Sequence, residues 1–462
     1  MKMSGKISAV KHRVKAIAAA CRTRISTMPS CAAISRFSAV FRKNPFPIQI
    51  VFLILYRLCL DLVYIWRMSP VYTYSGFTTY LYLPRYLLSL MTLLLFSPII
   101  VRLHQEPRPS SILVTLLNFL YFVPLTSYFG CKGTSLQFYL IGLLYWAWLL
   151  FLQALLPSLR LKPFTHPTAC KTIYLLLTIF ACALVLYISG KYTGFRFTLN
   201  VIDVYGIRAE AAEYPIPTLI SYLLSMMTVL LSTLIVYWLQ EKRFVVSLAL
   251  IVVYLFYYSI STQRGVFFLL FLLLACMFLY RDWMYRLFSP LLSLGVLCLG
   301  LLSQLGINYP MALLMNRMMY LPVWISERYA DFFSRNPLNL FRDGIMGKFS
   351  FSSIYSTTIP RVIGEYNGAP LNNANNGLLG DMYANLPPSL GIFLLPLILV
   401  ICFRLLDIAT DRLPAKILFP FCVCFSMSFI NVSWSVVLLS NGFLVACVLL
   451  YLFPRKERVL SQ

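Results

Sequence analysis

The sequence predicts an all-α polytopic membrane protein with about twelve transmembrane helices, and three observations predict it. Of 462 residues, 60% are hydrophobic and only 12% are charged, with a mean hydropathy of +0.78. Soluble domains carry about 25% charge, and surface-to-volume scaling lets no soluble core enclose this much apolar surface. The apolar residues fall into runs near the roughly 20-residue length that crosses a bilayer. Helices are the default for such runs, because lipid offers open backbone groups no partner. Finally, the basic residues are concentrated in alternate gaps between the runs, as in proteins that keep Lys and Arg on the cytoplasmic side. This accounts for 39 Lys and Arg against 15 Asp and Glu, a net charge of +24, without invoking a nucleic-acid partner.

In chain order, residues 1–47 form a basic arm with ten Lys and Arg and no acidic residue. Three readings compete: a cytoplasmic arm on anionic headgroups, an organelle transit peptide, and an extension without a role. A polytopic domain, 48–462, follows. Its apolar runs lie near 48–66, 79–101, 111–128, 137–156, 172–190, 218–239, 244–261, 266–280, 287–307, 389–403, 417–432 and 435–453. With the N-terminus inside, every inward gap is basic: Arg102 and Arg108; Arg160, Lys162 and Lys171; Lys242 and Arg243; Arg281 and Arg286; Arg404, Arg412 and Lys416; Arg455, Lys456 and Arg458. The short outward gaps 67–78, 129–136, 262–265 and 433–434 carry only Arg67, Lys132 and Arg264. Both termini are therefore expected in the cytoplasm. Of the twelve cysteines only Cys131 falls in an outward gap, so no disulfide framework is expected. In the first run, Arg57 and Asp61 stand at i,i+4, a spacing that pairs them. On the inner side, Asp407 and Asp411 have Arg404 and Arg412 as neighbours.

Two outward loops are long, 191–217 and 308–388, and they hold eight of the acidic residues: Asp203, Glu210, Glu213, Glu327, Asp331, Asp343, Glu365 and Asp381. Long loops on a compact scaffold carry function. In the second loop Arg317, Arg328, Arg335 and Arg342 are spaced by 11, 7 and 7, one stripe of a helix. Pro322 and Pro337 argue against a single unbroken helix. A helix from about 323 to 335 still puts Arg328, Asp331 and Arg335 on one face. That face is either ordinary ion-pair spacing or an anion cradle, since guanidinium groups grip phosphate oxygens two at a time. Arg264, in a gap of about four residues between two apolar runs, lies close to hydrocarbon and is a functional candidate on that ground. The competing reading is a side chain snorkelling to the headgroups. Arg208 sits in the first loop near Glu210 and Glu213. The loop end PRVIGEYNGAPLNNANNGLLGDMYANLPPSLG is rich in Asn, Gly and Pro and reads as irregular. Its Asn375, Asn376 and Tyr383 suit sugar hydroxyls and ring faces, although Asn and Gly also serve turns. All three histidines, His12, His104 and His166, fall inside; no P-loop, G-x-S-x-G or HExxH occurs. An outer-face enzyme of this composition is expected to need no metal or cofactor and to work with carboxylates and arginines.

Four pieces resemble the O-antigen polymerase, or oligosaccharide repeat-unit polymerase, family: Tyr-x-x-Arg at Tyr205 and Arg208; Ser-x-x-Arg-Gly at Ser261, Arg264 and Gly265; RMMYLPVWISERYADFFSRNP from Arg317; and NANNGLLGDMYANLPPSLGI from Asn373. The resemblance covers about residues 170–450. It implies a bacterial inner-membrane enzyme that polymerises undecaprenyl-diphosphate-linked oligosaccharides at the periplasmic face by inverting glycosyl transfer. Its partners would be the lipid-linked substrates, membrane lipid and a chain-length regulator. Arg208, Arg264, Arg317 and Arg328 would stabilise the leaving diphosphate. Asp331, Glu365 or Asp381 would deprotonate the acceptor hydroxyl. The alternative is a transporter or flippase of lipid-linked oligosaccharide; it predicts repeated halves, and the long loop after the ninth run makes the halves unlike. A third reading, a non-catalytic scaffold, gives the outer arginines no role.

Overall fold

The computed structural model describes residues 45–106, 108–158, 161, 164, 166–199, 205–343, 352–370 and 372–455. The basic arm up to residue 44, Arg160, Lys162, Asp203 and the tail from residue 456 lie outside the described residues. Every regular element among the described residues is a helix. Eight are long and apolar enough to cross a membrane: α1 Pro45–Val71, α2 Leu83–Gln105, α3 Pro109–Lys132, α4 Leu136–Leu155, α5 Pro167–Thr193, α7 Thr218–Gln240, α15 Pro388–Ala409 and α17 Trp434–Tyr451. They mark a multi-pass membrane protein. Four shorter apolar helices, α8 Phe244–Ser261, α9 Arg264–Leu279, α11 Phe288–Gln304 and α16 Ala415–Asn431, fall on the remaining four apolar runs. Between them lie the short helices α6 Tyr205–Ala212, α10 Asp282–Arg286, α13 Ile359–Tyr366 and α14 Leu378–Asn385, and a composite helix α12 over 309–333.

Helix α3 is the hub: its apolar window is entirely buried, and α1, α2, α15 and α16 pack around it. Apolar side chains on the periphery, such as Leu87, Met91 and Leu95 on α2, are exposed. In a chain of this hydropathy that exposed face is a lipid-facing one.

Loops that the charge pattern groups together also meet in space. At one end of the bundle, Asp407 on α15 accepts from the Ser110 amide (2.8 Å) and hydroxyl (2.7 Å) on α3. Arg404 pairs with Asp407 (3.0 Å) and donates to the carbonyls of Gln153 and Leu156 at the end of α4. Arg455 donates to the carbonyls of Ala409 and Asp411. At the other end, the Tyr80 amide donates to the Cys131 carbonyl (2.8 Å), and Arg85 to that of Gly133 (2.9 Å). There too Tyr72 reaches the Asn308 carbonyl (3.4 Å).

Three wide π segments interrupt the helices: Tyr64–Met68, Asn118–Phe122 and Ala312–Tyr320. Each is followed one residue later by a proline, Pro70, Pro124 and Pro322. A proline inside a helix lacks its N–H and its ring collides with the carbonyl four residues back. The wider turn makes room for that ring. The third segment meets the other two: it packs on Asn118–Phe122, and the rings of Tyr64 and Tyr320 lie 5.0 Å apart.

Here the structure corrects the sequence reading. The helix expected over 323–335 is present, but Pro322 does not separate it from the turns before it: helical turns run without a gap from 309 to 333, because the π segment absorbs the proline. The stretch read as an irregular loop contains α14, all eight of whose residues are buried. Cys131, expected in an outer gap, is buried within α3. The expected pairing of Arg57 with Asp61 is present, with both side chains buried.

Candidate functional site

The first cluster forms where α8 turns into α9. Thr262 caps α8 in the left-handed region (φ +47°), Gln263 is extended, and α9 starts at Arg264. This two-residue link makes α8 and α9 neighbours, locked by Tyr254, which donates to the Val266 carbonyl (2.8 Å). Helix α6 approaches the same corner: Arg208 donates to the Thr262 carbonyl (3.0 Å). Beside it, Ser259 accepts from the Thr198 amide (3.0 Å). Arg264 follows Thr262 by two residues, so one corner holds two arginines from stretches more than fifty residues apart. Arg264 is half-buried and stands in the first turn of α9, whose exposed N–H groups add positive potential. Glu210, a neighbour in sequence, is paired with Arg196 (2.6 Å) and accepts from Tyr214 (2.5 Å). The side chains of Tyr205 and Ser261 lie outside the described residues.

The second cluster lies on the outer limb of α12. Glu327, which the sequence reading counts among the outer carboxylates without a role, is half-buried between helices. It pairs with Lys132 (3.0 Å) and accepts from Tyr128 (2.6 Å) and Thr134. Burial pushes its carboxyl up, but Lys132 and the hydrogen bonds outweigh burial and hold it below the usual range. Arg328 lies 3.6 Å from Glu327 with its guanidinium over the Trp324 ring (5.6 Å). Asp331 pairs with Arg335 (3.4 Å) and accepts from Tyr366 on α13 (2.6 Å). Glu365, next along α13, is exposed, as is Arg317 on the π segment. Of the diphosphate candidates, then, Arg208 and Arg264 share one corner, Arg328 is engaged with Trp324 and Glu327, and Arg317 faces outward.

Helix α14 supplies the third cluster. Asp381 accepts from the Trp434 amide (3.0 Å), the Ser433 hydroxyl (2.9 Å) and the Asn385 amide group (2.9 Å). Burial raises its carboxyl to about 6, against the pull of these donors. Asn376 is buried, donating to the Pro322 carbonyl (2.7 Å) and accepting from Ser326 (3.1 Å), so both ends of its amide are engaged within the protein. Asn375 is exposed. Tyr383 is buried, stacked on Phe138 (6.2 Å), and its hydroxyl has no partner among the described residues. Gly377 allows α14 to close on α16: a Cβ there would stand 2.0 Å from the Phe429 carbonyl oxygen.

Sequence reasoning missed Glu327, Lys132 and Tyr128 as a unit. The available signal was a carboxylate inside the apolar stretch LPVWISER, which burial would force to find a cation. Among the described residues no three His, Cys, Asp or Glu side chains form a metal-binding group. Comparison with family models, with curated proteins and with solved structures gives no match.

Proposed function

We propose that this chain is a twelve-span inner-membrane enzyme, with both termini cytoplasmic, that polymerises oligosaccharides carried on undecaprenyl diphosphate. The observation that carries this reading is the bond from Arg208 to the Thr262 carbonyl, which brings it to the helix start that bears Arg264. Two like charges and a helix N-terminus gathered at the edge of an apolar bundle add to a positive potential that attracts an anion. A diphosphate tethered to a lipid lies at that depth. In the reaction the acceptor hydroxyl oxygen bonds to the anomeric carbon of the donor glycan as the bond from that carbon to the diphosphate oxygen breaks. The diphosphate leaves with the electron pair, and its developing charge falls to Arg208 and Arg264. The hydroxyl proton passes to a carboxylate, for which Asp331 and Glu365 are accessible whereas Asp381 is enclosed.

The test is the glycan ladder of a deletion strain complemented with variants. Arg264→Ala and Arg208→Ala should leave single repeat units in place of long chains, with the protein still present in the membrane. Undiminished chain length in both variants rejects the reading.

A further inference from the structure

We propose that the buried Arg57–Asp61 pair, together with Ser127, is a seat for the Tyr320 hydroxyl that fixes the elbow of α12. Asp61, Ser127 and Tyr320 are then positioning residues for the outer limb that carries Glu327, Arg328 and Asp331. The seat itself stands on geometry alone; its consequence for chain synthesis rests on the function proposed above.

The first observation is the placement of charge. Arg57 and Asp61 are 0% and 3% exposed in the first apolar helix. Ionisable groups at such positions are expensive and mark function, and a buried ion pair gains little stability over apolar packing. The pair is enclosed by directed bonds. Arg57 donates to the Thr126 hydroxyl (3.0 Å), the Thr126 carbonyl (2.9 Å) and Ser89 (3.0 Å). Asp61 accepts from Ser127 (2.6 Å), Tyr86 (3.0 Å) and the Cys131 thiol (3.5 Å). Through these bonds α1, α2 and α3 are joined.

The second observation is the path of α12. It starts beside Asn308, whose carbonyl meets Tyr72 just past the end of α1. By Met319 it has reached Tyr56, and Tyr320 reaches the Leu60 carbonyl (3.5 Å). Leu60 lies about 16 Å along the helix from Val71. The chain then climbs again: Trp324 packs on Phe77 (6.4 Å), and Glu327 meets Lys132 at the end of α3. The segment read as an outer loop therefore dips into the bundle and returns. Its lowest turn is the end of the π segment, just before Pro322.

The third observation joins the two. At that lowest turn the fully buried Tyr320 hydroxyl lies 2.7 Å from the Ser127 hydroxyl, which donates to Asp61. A proline-bent elbow has many ways to lie against apolar neighbours. One hydroxyl held by an oriented serine and carboxylate selects a single direction, and with it the azimuth of the limb that follows. Glu327 and Arg328 stand about two turns beyond the elbow, so a small rotation there displaces them along the outer surface.

The test uses the full-length protein with nitroxide labels introduced by Arg335→Cys and Gln137→Cys, both exposed positions, in a background with Cys21, Cys31 and Cys298 changed to Ser. In the parent the distance distribution between the labels should be narrow. Tyr320→Phe and Ser127→Ala should broaden it and lower long-chain glycan at least tenfold, while Ser127→Thr, which keeps the hydroxyl, restores both. Tyr320→Phe retains the ring against Tyr64, so the bundle still folds; Asp61→Asn, which strands Arg57, is the harsher second variant. An unchanged distribution in Tyr320→Phe overturns the seat. A broadened distribution with undiminished chain length overturns the positioning role. Full-length chains in both Arg264→Ala and Arg208→Ala overturn the polymerase reading instead, and leave the distance measurement to decide the seat.

Discussion

Arginine is used in opposite ways at the two ends of the bundle. At the end where Ser110 meets Asp407, Arg404 and Arg455 direct their donors at backbone carbonyls and at Asp407, closing helix ends that would otherwise be open. Each guanidinium there meets acceptors from more than one element. At the other end, Arg208 and Arg264 come to the same corner, one donating to the Thr262 carbonyl and the other on the first turn of α9. The first arrangement turns its guanidinium groups onto a carboxylate and onto carbonyls of the protein. The second sets two arginines side by side at a helix N-terminus, and it is there that the proposed function puts an anion.

Substitutions should separate the two ends. The largest effect is expected at the corner: Arg264→Ala should cut the rate of long-chain synthesis about 100-fold or more, as removal of one preorganised donor does elsewhere, with the thermal midpoint of the purified protein unchanged. Arg404→Ala should do the reverse, leaving Asp407 buried without its cation and costing about 3–5 kcal/mol; a thermal melt in detergent reads this directly, and a loss under 1 kcal/mol breaks the comparison. Asp381 gives an intermediate effect with a sign. Its carboxyl is raised from 3.8 to about 6 in the folded protein, so the folded state holds the proton more tightly than the unfolded one. Stability should therefore be greatest below about pH 4 as far as this group is concerned, and decline as pH rises through 6. In Asp381→Asn that decline should vanish from melts taken between pH 4 and 7. The smallest effect belongs to Arg335, exposed and paired only at i,i+4: Arg335→Ala should shift stability by less than about 1 kcal/mol and leave chain length alone.

The apolar runs were legible because hydropathy sums over twenty residues and survives local exceptions; all twelve fall on helices. The Arg57–Asp61 pair was legible because both members lie on one helix at a spacing that fixes their geometry. The dip of α12 was not. RMMYLPVWISERYADFF contains Arg, Glu and Asp and reads as an outer segment. Its burial comes from partners 193 residues away, Tyr320 with Ser127 and Glu327 with Thr134, which local pattern does not reveal. The Asn- and Gly-rich stretch before Pro387 misled for a related reason. Its Asn376 and Gly377 serve close contact with α12 and α16 rather than turns in solvent. Within the candidate site, sequence spacing pointed to Arg208 and Arg264 separately, and only tertiary structure brings both to the corner at Thr262.

The π segments ahead of Pro70, Pro124 and Pro322 carry a consequence for how this architecture tolerates change. A bend made by an inserted side chain can be retuned by enlarging or trimming that group. A bend made by a missing amide hydrogen is fixed in the covalent chain and ignores salt and acidity. The three bends are therefore hard-wired at synthesis, and variation among chains built on this plan would have to come from the direction in which neighbouring residues seat each elbow and from the surfaces the elbows present.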